Sequence, residues 1–284
     1  MSENMIDLLA VFDLEPIEVN LFRGINPSSG SPWVFGGQII GQSMVAATRR
    51  VDSRLPHSLH CHFIRAGDPR ASIVYQVECL HDDDCSSIRR VTGIQHGDAI
   101  FSTMISFTDE QKGIFDFQHK MDNVPAPEKL TTEQLSRQKM GYEAPDFIRR
   151  RYAIEMRPVE IGRYFGKKVD DGRTHIWIKI ATRLPEDRAL HMCALAYASD
   201  YSLLDTVMAR YGRAPFDKQM MPASLDHAMW FHRPFRADDW LLCAQDSPSA
   251  QDGRGLARGL IYKRDGTLIA SIAQEGSVRK RRRA

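Results

Sequence analysis

Apolar residues recur every three or four positions in two stretches of the chain, which is the spacing of an amphipathic helix. The first stretch, FGGQIIGQSMVAATRR at 35–50, opens with a pair of glycines and carries Met44 among its apolar positions. The second stretch, 187–212, places an apolar stripe from Leu190 to Met208 on one face. The pattern therefore predicts one long helix in each half of the chain.

Four strand-like segments follow each predicted helix. In the first half they are SLHCHFIR (58–65), IVYQVECL (73–80), SIRRVTGIQ (87–95) and AIFSTMISF (99–107). In the second half they are SLDHAMWFHR (224–233), WLLCAQDS (240–247), GLARGLIYK (255–263) and TLIASIAQE (267–275). Strand-rich segments also precede the helices, at 17–24, 155–161 and 175–181. Each half is therefore predicted to be one long helix followed by four antiparallel strands.

The two halves of the chain are similar to each other. Their last strand pairs align without a gap, so that Arg90 corresponds to Arg258 and Ser106 to Gln274. The strand after each helix begins with Ser-Leu and ends in Arg. Self-similarity of this kind indicates an internal duplication, and a chance likeness between two α+β domains is the alternative.

A polar segment separates the two halves. Residues 108–151 contain Pro-Ala-Pro and few apolar residues, which favours a linker with a short helix. We therefore expect an N-terminal domain at 1–110, a linker at 111–150 and a C-terminal domain at 151–284.

Composition narrows the possible function classes. The chain has 284 residues, 43% of them hydrophobic and 26% charged, with a net charge of +2, which fits about two soluble domains. No apolar run approaches the roughly 18 residues of a spanning helix, and the acidic start lacks the features of a signal peptide. The basic end, RKRRRA, is expected to be a solvated tail, with a weak phosphate or nucleic-acid contact as the alternative.

The cysteines indicate a reducing compartment. Five are present, an odd number with no C-x-x-C pair, which fits reduced thiols in the cytoplasm. Cys61, Cys193 and Cys243 lie in apolar contexts and are expected to be inert core thiols. We expect neither a metal nor a cofactor, because the sequence has no metal-ligand spacing and no glycine-rich nucleotide loop.

Several motifs in the same order along the chain resemble those of the acyl-CoA thioesterase II family. They are FGGQIIGQ, PHSLHCHFIRAGDP, DHAMWFHRPF and AQEG, and the resemblance runs from about Leu8 to Arg279. It implies an α+β double hot-dog fold, with two repeats that each wrap a curved antiparallel sheet around a long central helix. It also implies hydrolysis of fatty acyl-CoA to free fatty acid and CoA, and self-association as a homodimer or homotetramer.

The resemblance further implies a polar trio that binds and activates the attacking water. Carried onto this sequence, the trio is Asp200, Ser224 and Gln274. The chain departs from the family at Ser224, where Thr is usual. Serine keeps the hydroxyl but lacks the methyl group that restricts χ1 in threonine.

Two members of this trio also stand out on residue pattern alone. Strand alternation places Gln274 on the same face as Leu268 and Ile272, so its amide is expected to point toward the core. Asp200 lies near the apolar stripe of the predicted helix, where burial is costly unless the carboxylate is hydrogen-bonded. The alternatives are an amide bonded to neighbouring backbone and an Asp that caps a second helical segment beginning at Ser199.

Asp226 and His227 have side chains suited to acid–base chemistry. Because neighbours in a strand point to opposite faces, these two cannot form a catalytic dyad together. We expect ion pairing or supporting hydrogen bonds from them instead.

The CoA moiety and the oxyanion need basic groups and N–H donors. Candidates for the CoA are Arg65, Arg89 and Arg90, with plain solvated arginines as the alternative. The backbone N–H groups of Gly36 and Gly37 at the helix start are candidates for the oxyanion, as are those of the helix that carries Asp200.

One other mechanism and two other functions are alternatives to hydrolysis by an activated water. An acyl-serine route is disfavoured because Ser224 lies outside a G-x-S-x-G motif. An enoyl-CoA hydratase or dehydratase on this fold would use an Asp/His or Glu/His pair near the helix start, and FGGQIIGQ contains neither residue pair. A non-catalytic acyl-CoA-binding module would be favoured if a member of the trio were missing.

Overall fold

The computed structural model describes residues 7–27, 31–130, 153–215 and 217–281. The short helix predicted within the linker lies outside these ranges, as do the last three residues of the basic end.

Four α-helices occur in the described ranges: α1 (Leu8–Phe12), α2 (Gly36–Thr48), α3 (Arg188–Ser199) and α4 (Leu203–Ala209). The first predicted long helix is confirmed by α2. The second prediction was wrong in one respect, because α3 ends at Ser199 and α4 begins only at Leu203. None of the helices in the described residues has the length and apolar character needed to cross a membrane.

Thirteen strands of the described chain form one antiparallel sheet. Those of the first half are β1 (Glu15–Glu18), β2 (Leu21–Gly24), β3 (Leu55–Phe63), β4 (Ile73–Asp82), β5 (Ser86–Gln95) and β6 (Asp98–Thr108). Those of the second half are β7 (Ile154–Pro158), β8 (Thr174–Ile180), β9 (Met220–Ser224), β10 (Asp226–Phe231), β11 (Leu241–Gln251), β12 (Arg254–Lys263) and β13 (Leu268–Lys280). The strand predicted at 224–233 is divided, because β9 ends at Ser224 and β10 begins at Asp226.

The two halves of the sheet have corresponding strands in the same order when each half is followed inward from its own edge. It runs β1-β2-β4-β5-β6-β3 and continues as β10-β13-β12-β11-β8-β7, with β9 also paired to β13. The two halves join where β3 pairs with β10, in a register that sets His60 opposite Ala228. Each half thereby satisfies the backbone N–H and C=O groups at one edge of the other half.

One cross-strand ion pair recurs at matching places in the two halves. Arg90 Nε lies 2.9 Å from Glu78 Oε1 between β5 and β4. Arg258 Nε lies 2.9 Å from Asp246 Oδ1 between β12 and β11. Arg90 and Arg258 are the residues that occupy the same position when the sequences of the two halves are aligned.

The helices α2 and α3 pack against each other over the sheet at very short range. A Cβ atom on Gly37 would collide with the carbonyl oxygen of Tyr197, and one on Gly41 would lie 3.1 Å from the Tyr197 Cβ. Glycine is required at such contacts because any side chain would push the two backbones apart. This packing brings the beginning of α2 to the end of α3.

The described part of the linker lies against the second half of the sheet. The Trp177 side chain donates its Nε1–H to the carbonyl of Pro125 at 3.0 Å, and Arg157 donates to the carbonyl of Pro127 at 2.7 Å. Pro127 opens a 3-10 turn at Pro127–Lys129. These bonds attach the linker to β7 and β8.

A histidine held by two carboxylates adds a charged contact to this attachment. His175 Nδ1 lies 2.8 Å from Glu160 Oε1, and its Nε2 lies 3.0 Å from Asp122 Oδ2 in the linker. Burial alone would lower the pKa of His175, but the two carboxylates outweigh burial and raise it above the ordinary value. Both ring nitrogens face acceptors, so the charged imidazolium is the form that satisfies the site.

We expect His175→Gln to destabilise the protein more at about pH 6 than at about pH 9. Because the folded-state pKa is raised, the stabilisation is complete below the unfolded-state value of about 6.5 and is lost as pH rises through the folded-state pKa. Chemical denaturation at the two pH values measures the difference, which should be on the order of 1 kcal/mol. His119→Gln, exposed in the same linker, is the control, and equal destabilisation of the His175 variant at both pH values would contradict the account.

Candidate active site

The structure brings Asp200, Ser224 and Gln274 into direct contact. Ser224 Oγ donates to Asp200 Oδ1 at 3.0 Å, and Gln274 Nε2 donates to the same carboxylate oxygen at 2.9 Å. Gln274 Nε2 also lies 2.6 Å from Ser224 Oγ. The three side chains come from the end of α3, the end of β9 and the middle of β13, which are far apart in the sequence. Gln274 is buried, whereas Asp200 and Ser224 keep part of their surface accessible.

The position of Asp200 depends on the break between α3 and α4. Asp200 is the C-cap residue of α3, a place where the helix dipole disfavours a negative charge. The beginning of α2 compensates, because Gly37 donates its backbone N–H to the Asp200 carboxylate. A Cβ atom on Gly36 would lie only 2.5 Å from Asp200 Oδ2. The predicted glycines therefore lie at the site, with the positive end of the α2 dipole directed at the carboxylate.

The electrostatic environment makes Asp200 a stronger base than an exposed carboxylate. Burial raises its pKa above the usual range, and His227 together with the donors Ser224, Gln274 and Gly37 offsets only part of that increase. A carboxylate with a raised pKa is better matched to proton abstraction near neutral pH. Asp200 is therefore chemically suited to accept a proton from a hydroxylic molecule.

Asp226 and His227 occupy separate environments, as the strand alternation predicts. Asp226 Oδ1 accepts the backbone N–H of Glu275 at 2.7 Å. His227 is buried, and its Nδ1 lies 2.7 Å from Gln274 Oε1. Its Nε2 lies 2.9 Å from Ser199 Oγ. The sequence indicated supporting hydrogen bonds for His227, but its partners could not be identified from the pattern, since Gln274 lies 47 positions away.

Arg65 follows a residue that packs against the start of α2. Phe63, two residues earlier, has its ring 3.0 Å from the position of a Cβ atom on Gly36. The Arg65 guanidinium donates to the carbonyl of Ala99 at 2.8 Å and lies 3.9 Å from Asp98, with about half of the side chain exposed. Its charge is available at the surface, two residues beyond the contact of Phe63 with the start of α2.

Arg89 and Arg90 lie at the other end of α2. Arg89 is buried and donates twice to the carbonyl of Arg50, at 3.0 and 2.9 Å. Gly37 and Arg50 are thirteen positions apart, which at the rise of a helix corresponds to about 20 Å. Arg90, the next residue of β5, forms its ion pair with Glu78. The structure therefore does not group these two arginines with the trio.

The three core cysteines are not nucleophiles in this structure. Burial raises the pKa of Cys193 and of Cys243 to about 12. Burial and the nearby charge of Asp200 raise the pKa of Cys61 well above its ordinary value. The three thiols are buried, so the prediction that they belong to the core is confirmed, and a protonated thiol is a poor nucleophile.

Comparison with known proteins gives matches over both halves of the chain. Residues 26–108 match the family model described as "Acyl-CoA thioesterase N-terminal domain", and residues 144–277 match "Acyl-CoA thioesterase". A curated relative, "Acyl-coenzyme A thioesterase 8" of Homo sapiens, is 37% identical over 284 residues, covering 95% of this chain and 88% of the relative.

Solved structures give the same answer for the fold. The "Acyl-CoA thioesterase II TesB2" of Mycobacterium marinum is 37% identical, with a TM-score of 0.79 over 97% of this chain and 99% of that chain. A protein of unknown function with a hot-dog fold from Alicyclobacillus acidocaldarius is 17% identical, with a TM-score of 0.76 over 95% of this chain and 97% of that chain. The hot-dog fold predicted from the sequence is confirmed by these likenesses. Since both family models and a relative of near full-length coverage agree, the chain belongs to the acyl-CoA thioesterase family.

Proposed function

We propose that this protein hydrolyses fatty acyl-CoA thioesters to free fatty acid and CoA, through a water molecule held by Asp200, Ser224 and Gln274. The observation that carries the proposal is the meeting of these side chains at one carboxylate oxygen. Membership of the acyl-CoA thioesterase family supports the substrate class.

In the proposed reaction Asp200 removes a proton from the water molecule. The oxygen of that water attacks the thioester carbonyl carbon. Ser224 and Gln274 orient that water by their hydrogen bonds. The tetrahedral intermediate then collapses and the carbon–sulfur bond breaks, which releases the CoA thiolate. A thiol pKa of about 8.5 makes the thiolate a good leaving group, so little acid assistance is needed. We assign stabilisation of the oxyanion to backbone N–H groups at the start of α2.

The geometry favours direct attack by water over the alternatives. The Ser224 hydroxyl hydrogen-bonds to Asp200 and Gln274, while the nearby imidazole of His227 bonds to Gln274 Oε1 instead. An acyl-serine route would need the imidazole to contact the serine. A hydratase on this fold would use an Asp/His or Glu/His pair near the helix start, and FGGQIIGQ contains none of these residues. A non-catalytic module does not require a complete trio.

For the CoA moiety we propose contact with Arg65. Its side chain is half-exposed, and Phe63, two residues earlier, lies against the start of α2. The Arg89 guanidinium donates its hydrogen bonds to backbone carbonyl groups and to Asp82. Arg65 is therefore the better candidate.

We also propose that the hot-dog fold is present twice, as domains 1–110 and 151–284 joined by the linker 111–150. The mirrored strand order supports this duplication, and so do the matching ion pairs of Arg90 and Arg258. In each repeat the sheet would wrap around one central helical segment.

For assembly and location we propose a cytoplasmic homodimer or homotetramer. All five cysteines are free, as suits a reducing compartment. Large apolar side chains are exposed on the sheet at Met104 and Trp230 and in the linker at Phe115 and Phe117, and such side chains mark surfaces that other chains can cover.

We expect Asp200→Asn to lower kcat by about 10²- to 10⁴-fold, the usual contribution of a general base. Asparagine has the same shape and can still accept from Ser224 and Gln274, so the thermal unfolding midpoint should not fall. Free-thiol release from acyl-CoAs of several chain lengths measures the activity. Asp246→Asn, in an exposed ion pair with Arg258, is the control and should leave kcat unchanged. Full activity in Asp200→Asn would eliminate this carboxylate as the base, and hydration of an enoyl-CoA without thiol release would favour the hydratase.

The two possible changes at Ser224 separate the hydroxyl from the methyl group. Ser224→Thr keeps the hydrogen bond to Asp200, so kcat should stay within about tenfold of the parent value. Ser224→Ala removes the hydroxyl and should reduce kcat by about 10²-fold, as loss of a positioned hydrogen-bond donor does in other sites. Steady-state thiol release compares the two variants. If both lose activity to the same degree, the hydroxyl is not the feature that matters.

A further inference from the structure

A line of hydrogen bonds continues from the trio into the core of the protein. Gln274 Oε1 faces His227 Nδ1 at 2.7 Å, and His227 Nε2 faces Ser199 Oγ at 2.9 Å. Ser199 Oγ also lies 2.9 Å from the carbonyl oxygen of Ala196 in α3. Gln274, His227 and Ser199 are all buried, so water does not compete for these partners.

The two ends of the Gln274 amide are not equivalent in this site. Its nitrogen donates to Asp200 and Ser224, and its oxygen can only accept. A reversed amide would place that oxygen against the Asp200 carboxylate, where two acceptors would meet without a proton. While Asp200 is ionised, the carboxylate itself opposes this reversal.

Once Asp200 has taken a proton, that protection disappears. A carboxylic acid can donate to an amide oxygen as readily as it can accept from an amide nitrogen. A reversed Gln274 would then bind the proton of Asp200 and withdraw its nitrogen from Ser224. Something other than Asp200 must therefore hold the amide during turnover.

The Nδ1–H of His227 supplies that restraint. Burial lowers the pKa of His227, and the charge of Asp200 and the bond to Gln274 act against that decrease. Because Gln274 Oε1 is an acceptor, the hydrogen must be on Nδ1. The Nε2 atom lies 2.9 Å from Ser199 Oγ, and the Ser199 hydroxyl is itself fixed by its bond to the Ala196 carbonyl, so the ring is held in one orientation.

We propose that His227, held by Ser199, is a positioning residue that keeps the Gln274 nitrogen directed at Asp200 and Ser224 throughout the catalytic cycle. This inference rests on the proposed function. It assigns to His227 no contact with the substrate.

Two amide substitutions at His227 separate the role of its Nδ1–H from the simple filling of space. In His227→Asn the side-chain nitrogen occupies the position of Nδ1, so the donor to Gln274 is kept. In His227→Gln the amide reaches the position of Nε2, so that donor is moved away. We expect kcat within about tenfold of the parent for the Asn variant and about 10²-fold lower for the Gln variant, with KM nearly unchanged in both.

The pH dependence of kcat gives a readout that a merely structural role would not change. The groups facing Asp200 are Cys61 from β3, Ser224 from β9, His227 from β10, Gln274 from β13 and the N–H of Gly37 from α2. An amide oxygen turned toward Asp200 favours the protonated acid. The acid limb of the kcat–pH profile is the range in which kcat falls as Asp200 becomes protonated. This limb should therefore move to higher pH in His227→Gln and stay in place in His227→Asn.

Ser199→Ala is a second variant, in which the imidazole remains and only its hydrogen bond at Nε2 is lost. It should lower kcat by about tenfold and move the acid limb in the same direction. His191→Asn removes another buried imidazole, one that accepts the N–H of Ala237, and is the matched control whose kcat should not change.

Equal kcat and an unshifted acid limb in His227→Asn and His227→Gln would overturn the inference, as would an unshifted acid limb in Ser199→Ala. If the His227 variants do not fold, the Ser199 variant decides. Failure of the proposed function is recognised separately, because Asp200→Asn would then remain active whatever the His227 variants do.

Discussion

The site depends on the close contact between the beginning of α2 and the end of α3. With no side chains at Gly36 and Gly37, the α2 backbone reaches Tyr197 and Asp200 directly. The carboxylate at the unfavourable end of one helix dipole is thereby placed at the favourable end of another. The beginning of α2 thus serves both packing and electrostatics, since the same contact closes the core and directs an N–H group at Asp200.

A second constraint is that every polar group brought into this core needs a partner. Asp200, Ser224 and Gln274 satisfy one another, and His227 and Ser199 satisfy the remaining amide oxygen and ring nitrogen. Burial raises the basicity of the carboxylate, while the surrounding donors keep the charged form accessible. The network is therefore both a structural part of the core and the source of the chemistry proposed for it.

Much of this arrangement could be predicted from the sequence, because helix and strand periodicity are local. The order of helices and strands and the inward direction of Gln274 follow from that periodicity. The break after Ser199 was only an alternative at the level of the sequence, because the apolar stripe runs through it without interruption. The division of the strand at Leu225 could not be predicted, since it arises because the long strand β13 pairs with β10 along one part and with β9 along another.

The partners of buried polar residues were the other features that sequence reasoning could not supply. Arg89 was a natural candidate for a phosphate contact. Its guanidinium donates instead to the carbonyl of Arg50, just beyond the far end of α2. The role of His227 depends on residues 28 and 47 positions away. Such contacts are set by the tertiary register of the sheet, which local pattern does not encode.

The central claim is that a water molecule held by the three side chains attacks the thioester without a covalent enzyme intermediate. Intact-protein mass spectrometry of enzyme quenched with acid during turnover tests it most directly. The account predicts that the chain keeps its unmodified mass at every time point. A transient mass increase equal to the acyl group, located on Ser224, would contradict it.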